Sequence, residues 1–134
     1  MILPNETTVA VVDGTRLRLF RNRGHEPQID LLELPEPTIA VENQGSGGRH
    51  HSSTANPDTS RLAEDNFAAA VADHLNRQVL SGEISTLFVI ADPRTLGELR
   101  RHFHDTVRAK LVGDLAKDLT AQDRQDIERI LAKA

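Results

Sequence analysis

The sequence predicts a single α/β domain built on a mixed sheet, and three observations carry that expectation. Two strand-like runs flank Asp13-Gly14, the dipeptide pattern of a tight β-hairpin. A short continuous apolar run, Thr86-Leu87-Phe88-Val89-Ile90-Ala91, lies between two amphipathic stretches, as a buried parallel strand does. At 134 residues the chain is long enough for one ordinary core, so one domain over 1–134 is expected.

Taken in order, Thr7-Thr8-Val9-Ala10-Val11-Val12 is β-branched and apolar throughout, which predicts a first strand buried on both faces. Arg16 to Arg21 alternates apolar and basic residues, which predicts a second strand with a wet face lined by Arg16, Arg18 and, after a shift in the alternation, Arg21. Asn22-Arg23-Gly24 turns the chain into a third strand, Gln28 to Leu34, which Pro35 and Pro37 stop. A Gly-rich loop over about 38–59 follows. Asp58, Thr59 or Ser60 is placed to cap a helix reaching about Leu80. Phe67, Val71, Leu75 and Val79 form its apolar stripe, and Ser81-Gly82 ends it. After the buried run, Asp92 caps and Pro93 opens another helix, with Leu96, Leu99, Phe103 and Val107 on its buried side. Residues 110–119 fit either a helix through Leu111, Leu115 and Leu119 or a fifth strand. The strand is preferred because Gly113 is unfavourable inside a helix. Thr120 is read as the cap of a last helix through Ile127, Ile130 and Leu131. The order βββ-αβ-αβ-α gives an antiparallel meander followed by parallel crossovers.

Composition removes several functions. With no cysteine there are no disulfides, thiolate zinc sites or cysteine nucleophiles. Four Phe with no Tyr or Trp argue against a platform that stacks single-stranded bases. No run approaches the roughly 18 apolar residues of a membrane span, and Met1 to Thr8 lacks the basic and apolar regions of a signal peptide. A cytoplasmic protein without membrane contact is expected. The formal charge of −4 opposes indiscriminate nucleic-acid binding, but the charge is unevenly spread. Residues 62–93 hold one Arg against five acids, whereas 94–110 hold Arg94, Arg100, Arg101, Arg108 and Lys110 against Glu98 and Asp105. Such runs are more often solvated helix faces than binding patches.

The stretch Gly45-Ser46-Gly47-Gly48-Arg49-His50-His51-Ser52-Ser53 has no side chain able to build a core. Its glycine amides suit an anion-holding nest, Arg49 suits bidentate phosphate contact, and His50 and His51 add charge below about pH 6.5. Arg94 and Thr95 open a helix after a parallel strand, where such sheets bind ligands. Gly45, Gly47, Gly48, Arg49, His50, His51, Ser52, Arg94 and Thr95 are therefore the candidate binding residues for RNA or phosphate. The plain alternative is a solvated loop and a surface arginine. Asp13 and Asp92, each ending a strand, form a weaker candidate pair for a metal-dependent nuclease. Turn formation and helix capping already account for both. His102 and His104 are two apart, and His50 and His51 are adjacent, so neither pair shares a helix face. No cofactor and no metal are expected.

These residues resemble the bacterial host-attachment protein family nearly end to end. The resemblance rests on Val9-Ala10-Val11-Val12-Asp13-Gly14, on Gly45 to Ser53, on Asp92-Pro93-Arg94-Thr95-Leu96-Gly97-Glu98-Leu99-Arg100 and on Ala116-Lys117-Asp118-Leu119-Thr120. The strand order is also similar to the middle domain of archaeal and eukaryotic class-1 translation release factors. There, the loop between the third strand and the first long helix carries Gly-Gly-Gln and promotes peptidyl-tRNA hydrolysis in the ribosome. Here Gly47-Gly48 occupy the corresponding place, and Arg49 stands where glutamine would. Codon-reading and C-terminal domains have no counterpart, so stop-codon recognition by that route is not expected. The resemblance implies a fold of the ribosomal-protein S11/L18 or release-factor-middle-domain type. It also implies a cytosolic partner of the ribosome or tRNA, acting without turnover or, as a lesser extension, hydrolysing peptidyl-tRNA. The alternative it implies is a non-catalytic adaptor, with protein partners, needed for bacterial attachment to host cells.

Overall fold

The computed structural model describes residues 3–41 and 57–134, with side chains throughout except at 57–60. Five strands form one mixed sheet. They are β1 (Thr8–Val12), β2 (Leu17–Asn22), β3 (Leu31–Glu33), β4 (Leu87–Ala91) and β5 (Leu111–Ala116). The spatial order is β3-β2-β1-β4-β5. β1 pairs antiparallel with β2 and parallel with β4, and β4 pairs parallel with β5. The helices are α1 (Pro57–Leu80), α2 (Pro93–His102), α3 (Asp105–Lys110) and α4 (Arg124–Lys133). The expected α/β fold with a meander and parallel crossovers is the one observed.

Both faces of β1 are covered, which is why its five residues are all buried. Ala10 and Val12 join Leu17, Leu19, Leu87 and Val89 under Ala68, Val71, Ala72 and Leu75 of α1 and Leu96 and Leu99 of α2. Val9 and Val11 join Phe20, Phe88 and Ile90 on the other face, under Ile127 and Leu131 of α4. The period-2 alternation of the strands thus feeds two separate cores.

Several boundaries differ from expectation, each for a local reason. The second strand has no continuous wet face. Arg18 is only 8% exposed, and its guanidinium donates to Thr120 O (2.9 Å), Gln122 O (2.6 Å) and both oxygens of Glu33, above the Phe20 ring. Arg16 and Arg21 are exposed or half-exposed and pair with Glu36 and Glu6. β3 is shorter than Gln28–Leu34 because residues 24–30 are held as a turn: the buried Asn22 accepts from Gly24 N and Asp30 N, both at 3.0 Å. α1 starts at Pro57, one residue before the expected caps. In its stripe Ala68 and Ala72 lie deepest with Val71 and Leu75, and Phe67 is only partly buried.

The helix expected through Val107 breaks at Phe103, which is extended at φ −72° and ψ 136°. Asn76 of α1, 2% exposed, clasps both sides of the break: its Nδ2 donates to His102 O (3.1 Å) and its Oδ1 accepts from His104 N (3.0 Å). The buried stripe survives, with Leu96, Leu99, Phe103 and Val107 all inside. Residues 111–116 are indeed a strand. Its glycine has a steric cause, since a Cβ on Gly113 would sit 2.9 Å from the Phe88 ring. The register shift that inserts Val112 between the Leu87 and Phe88 pairings lets the ring settle against Gly113. The last helix is capped by Asp123, which accepts from Asp126 N, and not by Thr120.

Candidate functional site

β1 and β4 are parallel neighbours whose chains depart in opposite directions, β1 toward β2 and β4 toward β5. The crevice at their carboxyl ends is where open α/β sheets bind ligands. Here it is a cleft of about 320 Å³ lined by Asp13, Gly14, Thr15, Glu64, Asp92, Thr95 and Asp118.

Asp13 follows β1 and organises the hairpin turn. Its Oδ1 accepts from Thr15 N (2.8 Å), Arg16 N (2.7 Å) and the Thr15 hydroxyl (3.3 Å). Its Oδ2 accepts from the Thr120 hydroxyl at 2.7 Å. Burial pushes the Asp13 carboxyl up, but these hydrogen bonds, led by that of Thr120, together outweigh it and hold the group below the ordinary value. Thr120 Oγ1 also lies 3.1 Å from Asp118 Oδ1, so one hydroxyl proton is shared between two carboxylates. The Arg18 guanidinium, bonded to Thr120 O, holds that residue in place. Gly14 permits a close approach of the Glu64 side chain. A Cβ there would stand 2.8 Å from Glu64 Cγ, so only glycine lets the Glu64 side chain lie against the turn.

Asp92 follows β4 and caps α2, accepting from Thr95 N at 3.2 Å, with Pro93 in the first helical turn. Thr95 is 6% exposed and lines the cleft. Arg94 turns away to Asp65 of α1, its Nη2 lying 2.9 and 3.0 Å from the two carboxylate oxygens.

The structure therefore separates the sequence candidates. Asp13 and Asp92 do line one cleft, yet both are engaged in the turn and the cap. Among the described residues no group of three or more His, Asp or Glu side chains is placed to hold a metal ion. Thr95 belongs to the cleft, and Arg94 does not line it. Gly45, Gly47, Gly48, Arg49, His50, His51 and Ser52 lie outside the described residues. Glu64, Asp118 and Thr120 carry no mark of a site in the linear sequence. Asp118-Leu119-Thr120 did appear among the family-like segments, but nothing in a linear sequence shows that it returns to the end of β1.

Four carboxylates meet in this cleft, and among the described residues none of them forms an ion pair. Its chemistry is that of an acceptor for donors or cations. Most guanidinium groups among the described residues are engaged elsewhere, largely in exposed pairs. No helix among the described residues is long and apolar enough to cross a membrane.

No curated protein compared with the chain matches it. A family-level match, in contrast, runs from residue 6 to residue 131, from just before β1 into the last turn of α4. It spans the whole sheet, all four helices and the Gly-rich segment. With that coverage, the chain belongs to bacterial archaeo-eukaryotic release factor family 12.

Proposed function

We propose that the protein is a cytosolic, RNA- or ribosome-associated factor that acts through its Gly-rich segment, Gly45 to Ser53, without turnover. The family match over residues 6–131 is the observation that carries this reading. In the sequence, Gly47 and Gly48 stand between the third strand and the first long helix, the position at which release-factor middle domains carry Gly-Gly-Gln. Glycine amides and the Arg49 guanidinium supply donors for phosphate oxygens. With Arg49 in place of glutamine, the reading is one of insertion or sensing at an RNA site, and peptidyl-tRNA hydrolysis is its extension. Arg94 adds a guanidinium that can exchange its half-exposed Asp65 partner for phosphate, and Thr95, beside the carboxylates of the cleft, adds a hydroxyl donor. The resemblance to host-attachment proteins supplies the alternative, a non-catalytic adaptor with protein partners.

Ribosome co-sedimentation from lysate tests the proposal. Native protein is compared with a folded Gly47→Ala, Gly48→Ala, Arg49→Ala variant. Association lost in the variant supports a segment-mediated RNA contact and makes peptidyl-tRNA hydrolysis the next assay. Absence of both from the ribosome fraction removes the translation reading and leaves the adaptor.

A further inference from the structure

The arginine-rich stretch after the cleft is not absorbed by the proposed site. Arg100, Arg101 and His102 end α2, and His104, Arg108 and Lys110 flank or end α3; all six are exposed. α1 and α2 run the same way, Asp65 meeting Arg94 at the cleft and Asn76 meeting His102 further along. The α2–α3 corner therefore lies away from the cleft, toward the start of β5. The Asn76 clasp fixes the bend, and the bend brings Arg108 back so that its Nη2 donates to Arg100 O at 2.9 Å. Two guanidinium-bearing residues are thus held together by main-chain geometry.

Helix capping accounts for that one N–H of Arg108. The carboxylates at the corner do not bury the charge. Arg100–Asp114 (2.9 Å), Arg101–Glu98 (3.1 Å) and Arg108–Asp105 (3.2 Å) leave the arginine side chains 56%, 74% and 54% exposed. Lys110 pairs with no carboxylate among the described residues. Exposed pairs of this kind contribute about 1 kcal/mol or less. A phosphate offers the same guanidinium groups bidentate contacts while releasing condensed counterions. The cleft itself, with four carboxylates, is a poorer place for the same ligand than the corner.

We propose that the α2–α3 corner is a phosphate-binding surface for structured RNA, formed by residues other than those of the Gly-rich segment. This rests on the release-factor-like reading for the class of partner, and on the corner alone for its place.

The test measures binding of the full chain to deacylated bulk tRNA across a KCl series. It compares native protein, an Arg100→Gln/Arg108→Gln variant, and an Arg77→Gln/Arg129→Gln variant with the same charge change on α1 and α4. Thermal unfolding confirms that each is folded. The corner variant is expected to bind about tenfold more weakly at low salt, with the salt-dependence slope reduced by about one unit or more, and the control to change less than about twofold. Equal losses in the two variants overturn the proposal, because net charge alone then explains them. Unchanged binding by the corner variant, or no binding by native protein, overturns it too. Displacement of tRNA by polyglutamate as readily as by unlabelled tRNA overturns it in favour of an acidic protein partner. The loop variant separates the two readings. Corner-dependent tRNA binding with no effect of the loop change keeps this inference and removes the loop as the RNA contact. The reverse result does the opposite.

Discussion

The two ends of α2 are built from the same materials and reach opposite electrostatic states. At its N-terminus, Asp92, Asp13, Glu64 and Asp118 converge on a cleft in which hydroxyl and amide donors do the work of countercharge. At its C-terminus, arginines meet carboxylates one to one, in the open. The cleft is held from below by long-range hydrogen bonds, Arg18 to Thr120 and Thr120 to Asp13, across 102 and 107 residues of sequence. The corner is held by one buried asparagine and otherwise by local pairs. At the first end the Asp13 charge is tied into the fold and costly to disturb; charge at the second is exchangeable. A domain with an overall negative charge in this way keeps three arginines at one corner in exposed, exchangeable pairs.

The largest expected effect comes from removing the support of the cleft. Arg18→Met leaves two backbone carbonyls and Glu33 without their donor, and a loss of about 3 kcal/mol in urea unfolding is expected. Asn76→Ala attacks the other end by freeing His102 O and His104 N, with a loss of about 2 kcal/mol. If it costs as much as Arg18→Met, the corner is as deeply built as the cleft and the contrast fails. Thr120→Val keeps the shape and removes the proton shared by Asp13 and Asp118, and a loss of about 1 kcal/mol at neutral pH follows. The sign of its pH dependence is fixed by Asp13. A carboxyl held below its ordinary value of 3.8 contributes stability that is present above that pH and lost as pH falls through the folded value. Thr120→Val should therefore flatten the acid limb of the stability profile below about pH 4. An unchanged acid limb would show that Thr120 does not set the state of Asp13. The smallest effects belong to the surface. Arg101→Gln is expected to change stability by no more than about 0.5 kcal/mol, whereas Glu64→Gln, which relieves repulsion in the cleft, should be neutral or slightly stabilising.

The sheet was legible because its signals are local. Asp13-Gly14 between two β-branched runs, the apolar stretch ending at Ala91, and Asp92-Pro93 each specify an element from a few neighbouring residues. Gly113 pointed to a strand for a reason of propensity, and the structure adds a steric one, the Phe88 ring. What escaped were positions governed by distant partners. Arg18 reads as a wet-face residue until the turn at 118–122 closes over it. The helix break at Phe103 has no proline or paired glycines to announce it, because its cause is Asn76 on another helix. Thr120 has the residue type of a cap but is claimed by Asp13. The cleft is of this second kind: half its carboxylates come from segments whose meeting is invisible along the chain.

The place of β1 has a consequence for how the chain acquires its structure. β1 is the centre of the sheet, yet its parallel neighbour β4 begins at Leu87, with residues 13–86 between them. The β1–β2 hairpin closes through a local turn, whereas the β1–β4 ladder waits for that whole span to be made and brought round. During synthesis the hairpin therefore emerges with one edge of its central strand unpaired, and the helical half must arrive to cover it. Formation of the β1–β4 pairing is the step expected to limit folding. It is also the interval in which the apolar edge of β1 is exposed to other chains.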